Sequence, residues 1–224
     1  MSPDALLLAV AMAAGTSAHA QPKTFLALGD SYSIGEGVAE GQRWPMQLVA
    51  RLRAQGIVVA GPQIVARTGW TTDELSSAMD AASLHPPYAL VTLLIGVNNQ
   101  YRGLPADAYR AQFHALLARA VALAGGDAGR VIVVSIPDWG VTPFARGEGR
   151  DAGQVAAQID AFNAIARLQA SRVRAHWVDV TGISRDPRAR ALLTTDGLHP
   201  SGAQYALWTD ALEPVARTIL QPSP

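Results

Sequence analysis

Near the start of the chain, Gly29-Asp30-Ser31-Tyr32-Ser33-Ile34-Gly35-Glu36-Gly37 sets a serine in a glycine-rich turn. Near its end, Thr195-Asp196-Gly197-Leu198-His199-Pro200 sets a carboxylate three residues before an imidazole. A serine hydroxyl is a weak nucleophile at neutral pH. It becomes effective when a base within hydrogen-bond reach takes its proton and a third group orients that base. Ser31, His199 and Asp196 are the right types for those three tasks. Taken singly, each segment also fits a blander role: a tight turn, or a loop histidine with its hydrogen bonds satisfied.

The two segments are far apart in sequence, so the fold must bring them together. From residue 24 onward apolar runs alternate with helical patterns. Thr24–Leu28 is a short apolar run stopped by Gly29, and Trp44, Leu48, Val49 and Leu52 recur at helical spacing. Ile57–Ala66 reads as a second β-rich stretch, broken by Gly61-Pro62, and Thr71 and Glu74 stand at capping-box spacing for the next helix. Tyr88–Ile95 and Arg130–Ile136 are nearly continuous apolar runs, the mark of strands covered on both faces. Between them Tyr109, Phe113, Leu116, Leu117, Ala120 and Val121 form one helical stripe. After a loop from Pro137 to Gly149, a helix through Val155, Ile159, Phe162 and Ile165 leads to a fifth strand, His176–Val180. The last helix, Ser201–Leu220, opens with Ser201 and Gln204 as a capping pair. Strands joined by helices of this length form a parallel sheet with helices on both faces, and active residues collect at the carboxyl ends of its strands. That rule picks out Gly29–Ser33, Thr68–Trp70, Gly96–Asn99, Pro137–Gly140 and the segment after the fifth strand.

Composition closes other chemistries. The 224 residues include 18 basic and 18 acidic side chains, five histidines and no cysteine. Thiol nucleophiles, disulfides, iron–sulfur clusters and cysteine-ligated zinc are therefore excluded. Lys23 is the only lysine and lies in neither a Gly-Lys-Ser/Thr nor a Ser-x-x-Lys context, so a P-loop and a serine–lysine hydrolase are excluded as well. The Gly-x-Ser-x-Gly elbow is absent, because Ser33 stands where its second glycine would be. A zero net charge without a basic block points away from nucleic acid or an anionic membrane as partner. With 49% hydrophobic and 16% charged residues, the chain has the composition of one folded domain over 21–224.

GDSYSIGEG, the glycine of ARTGWTT, GVNNQYRG and DGLHPSG follow one another in the order of the four blocks of the SGNH hydrolases, the GDSL esterase/lipase family, which the chain resembles from about residue 24 to 220. That resemblance implies a three-layer α/β/α sandwich with a five-stranded parallel sheet, flavodoxin-like in arrangement. It implies Ser31 as nucleophile, His199 as general base and Asp196 as the group orienting it. The backbone N–H groups of Ser31 and Gly69 and the side-chain amide of Asn98 would form the oxyanion hole. It implies no cofactor and no metal, and a small-molecule ester as substrate, from a range that includes lysophospholipids, thioesters, aryl esters and acetylated sugars. Trp70, Asn99 and Trp139 are candidate substrate contacts, each with an alternative as a packing or turn residue. Asp30 is expected to bind turn amides beside Ser31 rather than to move protons.

Three rival readings remain at this level. Asp196, His199, Asp179 and His176 have metal-binding types, though no HExxH or paired-histidine spacing is present. The same serine chemistry can pass an acyl group to an alcohol or sugar, as an acyltransferase. The fold can also serve as a binding module. At the N-terminus, Ala5 through Ala14 is an unbroken apolar run, shorter than the about 20 residues a bilayer needs, and Ala18-His19-Ala20 follows it. This is the form of an export signal over residues 1–20, although no basic residue precedes the run and Asp4 is acidic. The expectation is export to the periplasm or medium, with no stable membrane anchor once the signal is removed.

Overall fold

Aliphatic and β-branched runs with no polar alternation can be buried only between two other layers, and these strands are. The computed structural model describes residues 21–221; the expected export signal over 1–20 lies outside the described residues. In chain order the elements are β1 (Phe25–Gly29), α1 (Ser31–Ile34), α2 (Trp44–Ala54), β2 (Gln63–Ala66), α3 (Thr72–Ala81), β3 (Leu90–Leu94), α4 (Val97–Tyr101) and α5 (Ala106–Leu123). They continue with β4 (Val131–Val134), α6 (Pro143–Gly147), α7 (Ala152–Val173), β5 (His176–Val178), α8 (Thr181–Arg185) and α9 (Gly202–Leu220). Every residue of β1, β3 and β4 is buried.

All strand pairs are parallel, in the order β2-β1-β3-β4-β5. β1 runs in register with β3 from Phe25 opposite Leu90 to Gly29 opposite Leu94. The winding reverses between β1 and β3. Right-handed crossovers then send the helices to opposite faces and leave a crevice above the carboxyl ends of those two strands. α2 packs on α9 in one layer, while α3 packs on α5 and α5 on α7 in the other. Trp44 of α2 and Trp208 of α9 are fully buried on one side, and Tyr109 and Phe113 of α5 are buried on the other. The five-stranded parallel α/β architecture expected from the sequence is the one observed.

Differences lie at element ends. The second strand is only Gln63–Ala66, because Pro62 has no N–H to give a ladder, and residues before it contribute a single bridge, Lys23 to Val59. β5 stops at Val178; the Asp179 carboxylate accepts the Thr181 amide at 2.8 Å and turns the chain into α8. The Thr71/Glu74 capping box forms at α3, with Glu74 accepting the Thr71 amide at 2.8 Å. At α9 Ser201 accepts the Gln204 amide, but the Gln204 side chain donates to the Ala189 carbonyl at 2.6 Å instead of reaching back to Ser201.

At the end of β3, Gly96 adopts φ +128°, and a Cβ there would lie 2.5 Å from the Tyr109 ring and 3.0 Å from Ile136. Both the backbone angle and the space require glycine. Gly96→Ala is expected to lower Tm by roughly 5–10 °C, the equivalent of about 2–3 kcal/mol for a domain of this size. Gly41→Ala, with nothing within 4 Å of its added methyl, should leave Tm within about 2 °C. Paired calorimetric melts check both.

Candidate functional site

Ser31 is the first residue of α1, directly beyond β1. Asp30 caps this turn from an extended conformation, its Oδ1 accepting the Tyr32 amide at 3.1 Å. Gly35 closes the turn by donating to the Ser31 carbonyl at 3.0 Å. From α2, the Trp44 indole donates to the Tyr32 carbonyl at 3.0 Å and ties the turn to the core. Ser31 is left nearly buried, on the wall of a cleft of about 190 Å³ that also receives His199, Gly69, Asn98 and Trp139.

His199 is held through Asp196. One carboxylate oxygen, Oδ1, accepts from the Thr194 hydroxyl at 2.6 Å, the Leu198 amide at 2.8 Å and the His199 amide at 3.0 Å. These bonds shape the loop. The other oxygen, Oδ2, lies 2.7 Å from His199 Nδ1. Partial burial pushes the Asp196 carboxyl up, but the bonds from Thr194, His199 and the two amides outweigh it and hold the group well below the usual carboxylate range. An ionised Asp196 accepts a proton-bearing Nδ1, which leaves Nε2 as the lone-pair nitrogen of the neutral ring. The ring is nearly buried and lies 5.6 Å, centroid to centroid, from Tyr32.

The third component is α4 and the loop beneath it. Gly69, with φ +87°, has a backbone that side-chain-bearing residues rarely adopt. Asn98 Nδ2 donates to the Trp70 carbonyl at 2.9 Å, which fixes the amide plane and leaves a second N–H for the cleft. The neighbouring Asn99 does not reach the cleft. It is buried, with Oδ1 accepting the Thr72 amide at 3.1 Å and Nδ2 donating to the Thr72 hydroxyl at 2.8 Å, so its work is to clamp the start of α3. Trp70, for which the sequence left substrate contact and packing open, is not among the residues lining the cleft; its partly buried ring packs against the core, and its carbonyl accepts from Asn98.

Trp139 does line the cleft, and two residues missed in the sequence reading complete an aromatic wall with it. Tyr101 meets Trp139 edge-on at 5.3 Å, and Phe144 lies 6.3 Å from it. The Trp139 indole donates to Gln100 Oε1 at 2.7 Å, and Gln100 Nε2 donates to Gln158 at 2.7 Å. The Arg150 guanidinium sits over the Tyr101 ring at 5.2 Å, within cation–π range. GVNNQYRG held a signal for Tyr101, since one helical turn spans Asn98 and Tyr101. Phe144 gave none beyond its aromatic type in a loop.

Among the described residues, no group of three or more His, Asp or Glu is placed to hold a metal ion, and no helix is long and apolar enough to cross a membrane. His176 contacts the Gly129 carbonyl at 3.1 Å through Nε2, and Asp179 accepts from the Ser135 hydroxyl at 3.0 Å and the Thr181 amide at 2.8 Å.

A parallel α/β sheet with a serine, a carboxylate-paired imidazole and an amide donor at its carboxyl edge is the architecture of a serine-hydrolase class. The chain belongs to the GDSL-like lipase/acylhydrolase family, whose model matches residues 27–207. Its fold is shared with the psychrotrophic esterase EstA from Pseudoalteromonas sp., at 18% identity and a TM-score of 0.68, over 89% of this chain and 99% of that one. The lipase/acylhydrolase from Enterococcus faecalis is similar at 20% identity and a TM-score of 0.67, over 90% and 98% of the two chains. An acetyl xylan esterase from Geobacillus stearothermophilus, Axe2, superposes at 19% identity and a TM-score of 0.65, over 87% and 94%. None of the curated proteins compared matches the sequence.

Beneath Ser31, Asp30 is fully buried and its Oδ2 has no hydrogen-bond partner. Burial pushes its carboxyl up to about 7, against the opposing bond from the Tyr32 amide. The folded protein therefore prefers the neutral acid. The stability this contributes is complete below the ordinary value of 3.8 and is lost as pH rises through about 7. Asp30→Asn keeps a neutral amide with an Oδ1 for Tyr32. The variant is expected to gain Tm relative to wild type at pH 8 compared with pH 5. Thermal melts of both proteins at the two pH values check this; an equal difference at both would contradict it.

Proposed function

We propose that the chain is a carboxylic ester hydrolase acting through an acyl-enzyme on Ser31. Ser31 Oγ attacks the ester carbonyl carbon while its proton passes to His199 Nε2. The tetrahedral intermediate collapses as that proton moves to the departing alkoxide, leaving the acyl group on Oγ. Water then repeats the sequence and releases the acid. Asp196 holds the imidazole in its Nδ1-protonated form and stabilises the imidazolium. The Ser31 and Gly69 N–H groups and the free N–H of Asn98 receive the oxyanion.

The observation that supports this reading is that Ser31 and the Asp196-bound imidazole line one cleft, together with Gly69 and Asn98. Family membership and esterase neighbours agree with it. Substrates are short-chain or otherwise small soluble esters: about 190 Å³ is below the about 300–1,000 Å³ usual for drug-sized ligands. Export belongs to the same proposal, on the strength of the apolar run and Ala-x-Ala site before Gln21. Fractionation with N-terminal sequencing tests it, and a mature chain beginning near Gln21 is expected.

Ser31→Ala and His199→Ala should each abolish turnover of p-nitrophenyl acetate and butyrate and labelling by a fluorophosphonate, with circular dichroism unchanged. Activity retained in both variants would reject the reading. Asp196→Asn should lower kcat by about 10³–10⁴, and Asn98→Ala by about 10²–10³. Acyl-chain-length and thioester panels define the acyl preference, and added alcohols or sugars reveal any transfer in place of hydrolysis.

A further inference from the structure

Gly69 has the freedom to take φ +87°, and the same freedom lets its flanking peptides swing. The segment around it is pinned at several points. Upstream, the Thr68 hydroxyl donates to Glu36 in the loop after α1. Downstream, Asn98 holds the Trp70 carbonyl at 2.9 Å and Asn99 holds Thr72. The Gly69 carbonyl itself is held by one side chain, Arg102, whose Nη2 donates to it at 2.5 Å. Arg102 immediately follows α4 and is oriented in turn by Glu74, with Nη2 at 3.3 Å from Oε2 and Nη1 at 3.5 Å from Oε1. Glu74 Oε2 also accepts the Thr71 amide at 2.8 Å. The guanidinium thus joins the glycine to the capped start of α3.

We propose that Arg102 is a positioning residue for oxyanion stabilisation: by holding the Gly69 carbonyl it fixes the backbone that aims the Gly69 N–H into the cleft. This rests on the ester-hydrolase reading for its kinetic consequence. Arg102 does not line the cleft, so it acts through Gly69 rather than on substrate. Nor is it a major element of stability. Its side chain is 45% exposed and that of Glu74 41%, and exposed ion pairs of this kind contribute little to folding. What the pair supplies is direction. A backbone donor displaced by about 1 Å loses on the order of tenfold to a hundredfold in rate, without a matching loss of ground-state binding.

The test uses Arg102→Ala, Arg102→Lys and Glu74→Gln in the full-length protein. With p-nitrophenyl acetate, Arg102→Ala is expected to lower kcat about tenfold or more while KM stays within about twofold. The rate of fluorophosphonate labelling should fall in the same proportion. Arg102→Lys, which can still donate one bond to the carbonyl, should recover part of the loss, and Glu74→Gln should fall between wild type and Arg102→Ala. In ¹⁵N-glycine-labelled protein, the Gly69 amide resonance should shift or broaden in Arg102→Ala and return toward its wild-type position in Arg102→Lys. An unperturbed Gly69 amide overturns the proposal, as does an unchanged kcat or an effect confined to KM in an active enzyme. Wild-type protein that neither cleaves esters nor reacts with the fluorophosphonate refutes the hydrolase reading instead, and the amide resonance then still decides whether Arg102 holds Gly69.

Discussion

The site depends on how β3 ends. A parallel strand leaves the sheet pointing at the crevice, and Gly96 converts it within one residue into α4, in a conformation and space that admit no side chain. Every residue from 98 to 102 then reaches another part of the site. Asn98 takes the Trp70 carbonyl, Asn99 takes Thr72, Gln100 takes the Trp139 indole, Tyr101 meets the Trp139 ring and Arg102 takes the Gly69 carbonyl. A helix advances about 100° per residue, so five successive side chains radiate in all directions. At the middle of the crevice nearly all of those directions lead to a functional loop. One short turn thereby sets the relative positions of segments contributed by β2, β3 and β4.

Two carboxylates near Ser31 illustrate how environment assigns roles. Asp196 is partly exposed and receives four hydrogen bonds, so it stays charged where the imidazole needs a charged partner. Asp30 is fully buried with one amide on one oxygen, and its acid form is favoured up to about 7. In the proposed reaction, a permanent negative charge next to Ser31 would oppose the negative charge that develops on acylation. Capping by an easily neutralised acid supplies the hydrogen bond that shapes the turn without fixing that charge in place.

The layers were legible in the chain because they follow from hydrophobic pattern: Tyr88–Ile95 and Arg130–Ile136 read as interior strands covered on both faces, while the strand order is not written in that pattern. α1, α4, α6 and α8 were not, since helices of four or five residues are too short to show a period. The motif located Ser31, Gly69, Asn98, Asp196 and His199 on the chain. It assigned Asn98 to the oxyanion hole and left Asn99 open between substrate contact and turn residue; what occupies Asn99 is Thr72, a partner 27 residues away that the motif does not show. Trp70 and Trp139 looked alike as aromatics in loops. They differ because the Trp139 indole has Gln100 to bind at the cleft wall, while the Trp70 ring turns to the core. Arg102 was invisible for another reason: its partner is a carbonyl 33 residues away, and main-chain acceptors leave no mark in sequence.

The aromatic wall raises the question of how a loop can serve as a rigid surface. Trp139 sits in an irregular stretch after β4, yet it is buried and its flanks are tied down. Asp138 accepts the Gly140 amide at 2.8 Å and pairs with Arg185 Nε at 2.8 Å, while Arg185 Nη2 reaches Asp160 at 2.8 Å on α7. The Asp138 side chain is 1% exposed, so removing its partner would strand a buried charge, an event that costs about 3–5 kcal/mol. Through Arg185 the buried carboxylate ties this stretch to α7 in the layer behind it. Tyr101 belongs to the same wall, edge-on to the Trp139 ring at 5.3 Å, and the Arg150 guanidinium lies over both rings, at 5.2 Å from Tyr101 and 5.8 Å from Trp139. In the proposed reaction an acyl or alcohol group meets this aromatic surface, because Tyr101, Trp139 and Phe144 line the cleft together with Ser31.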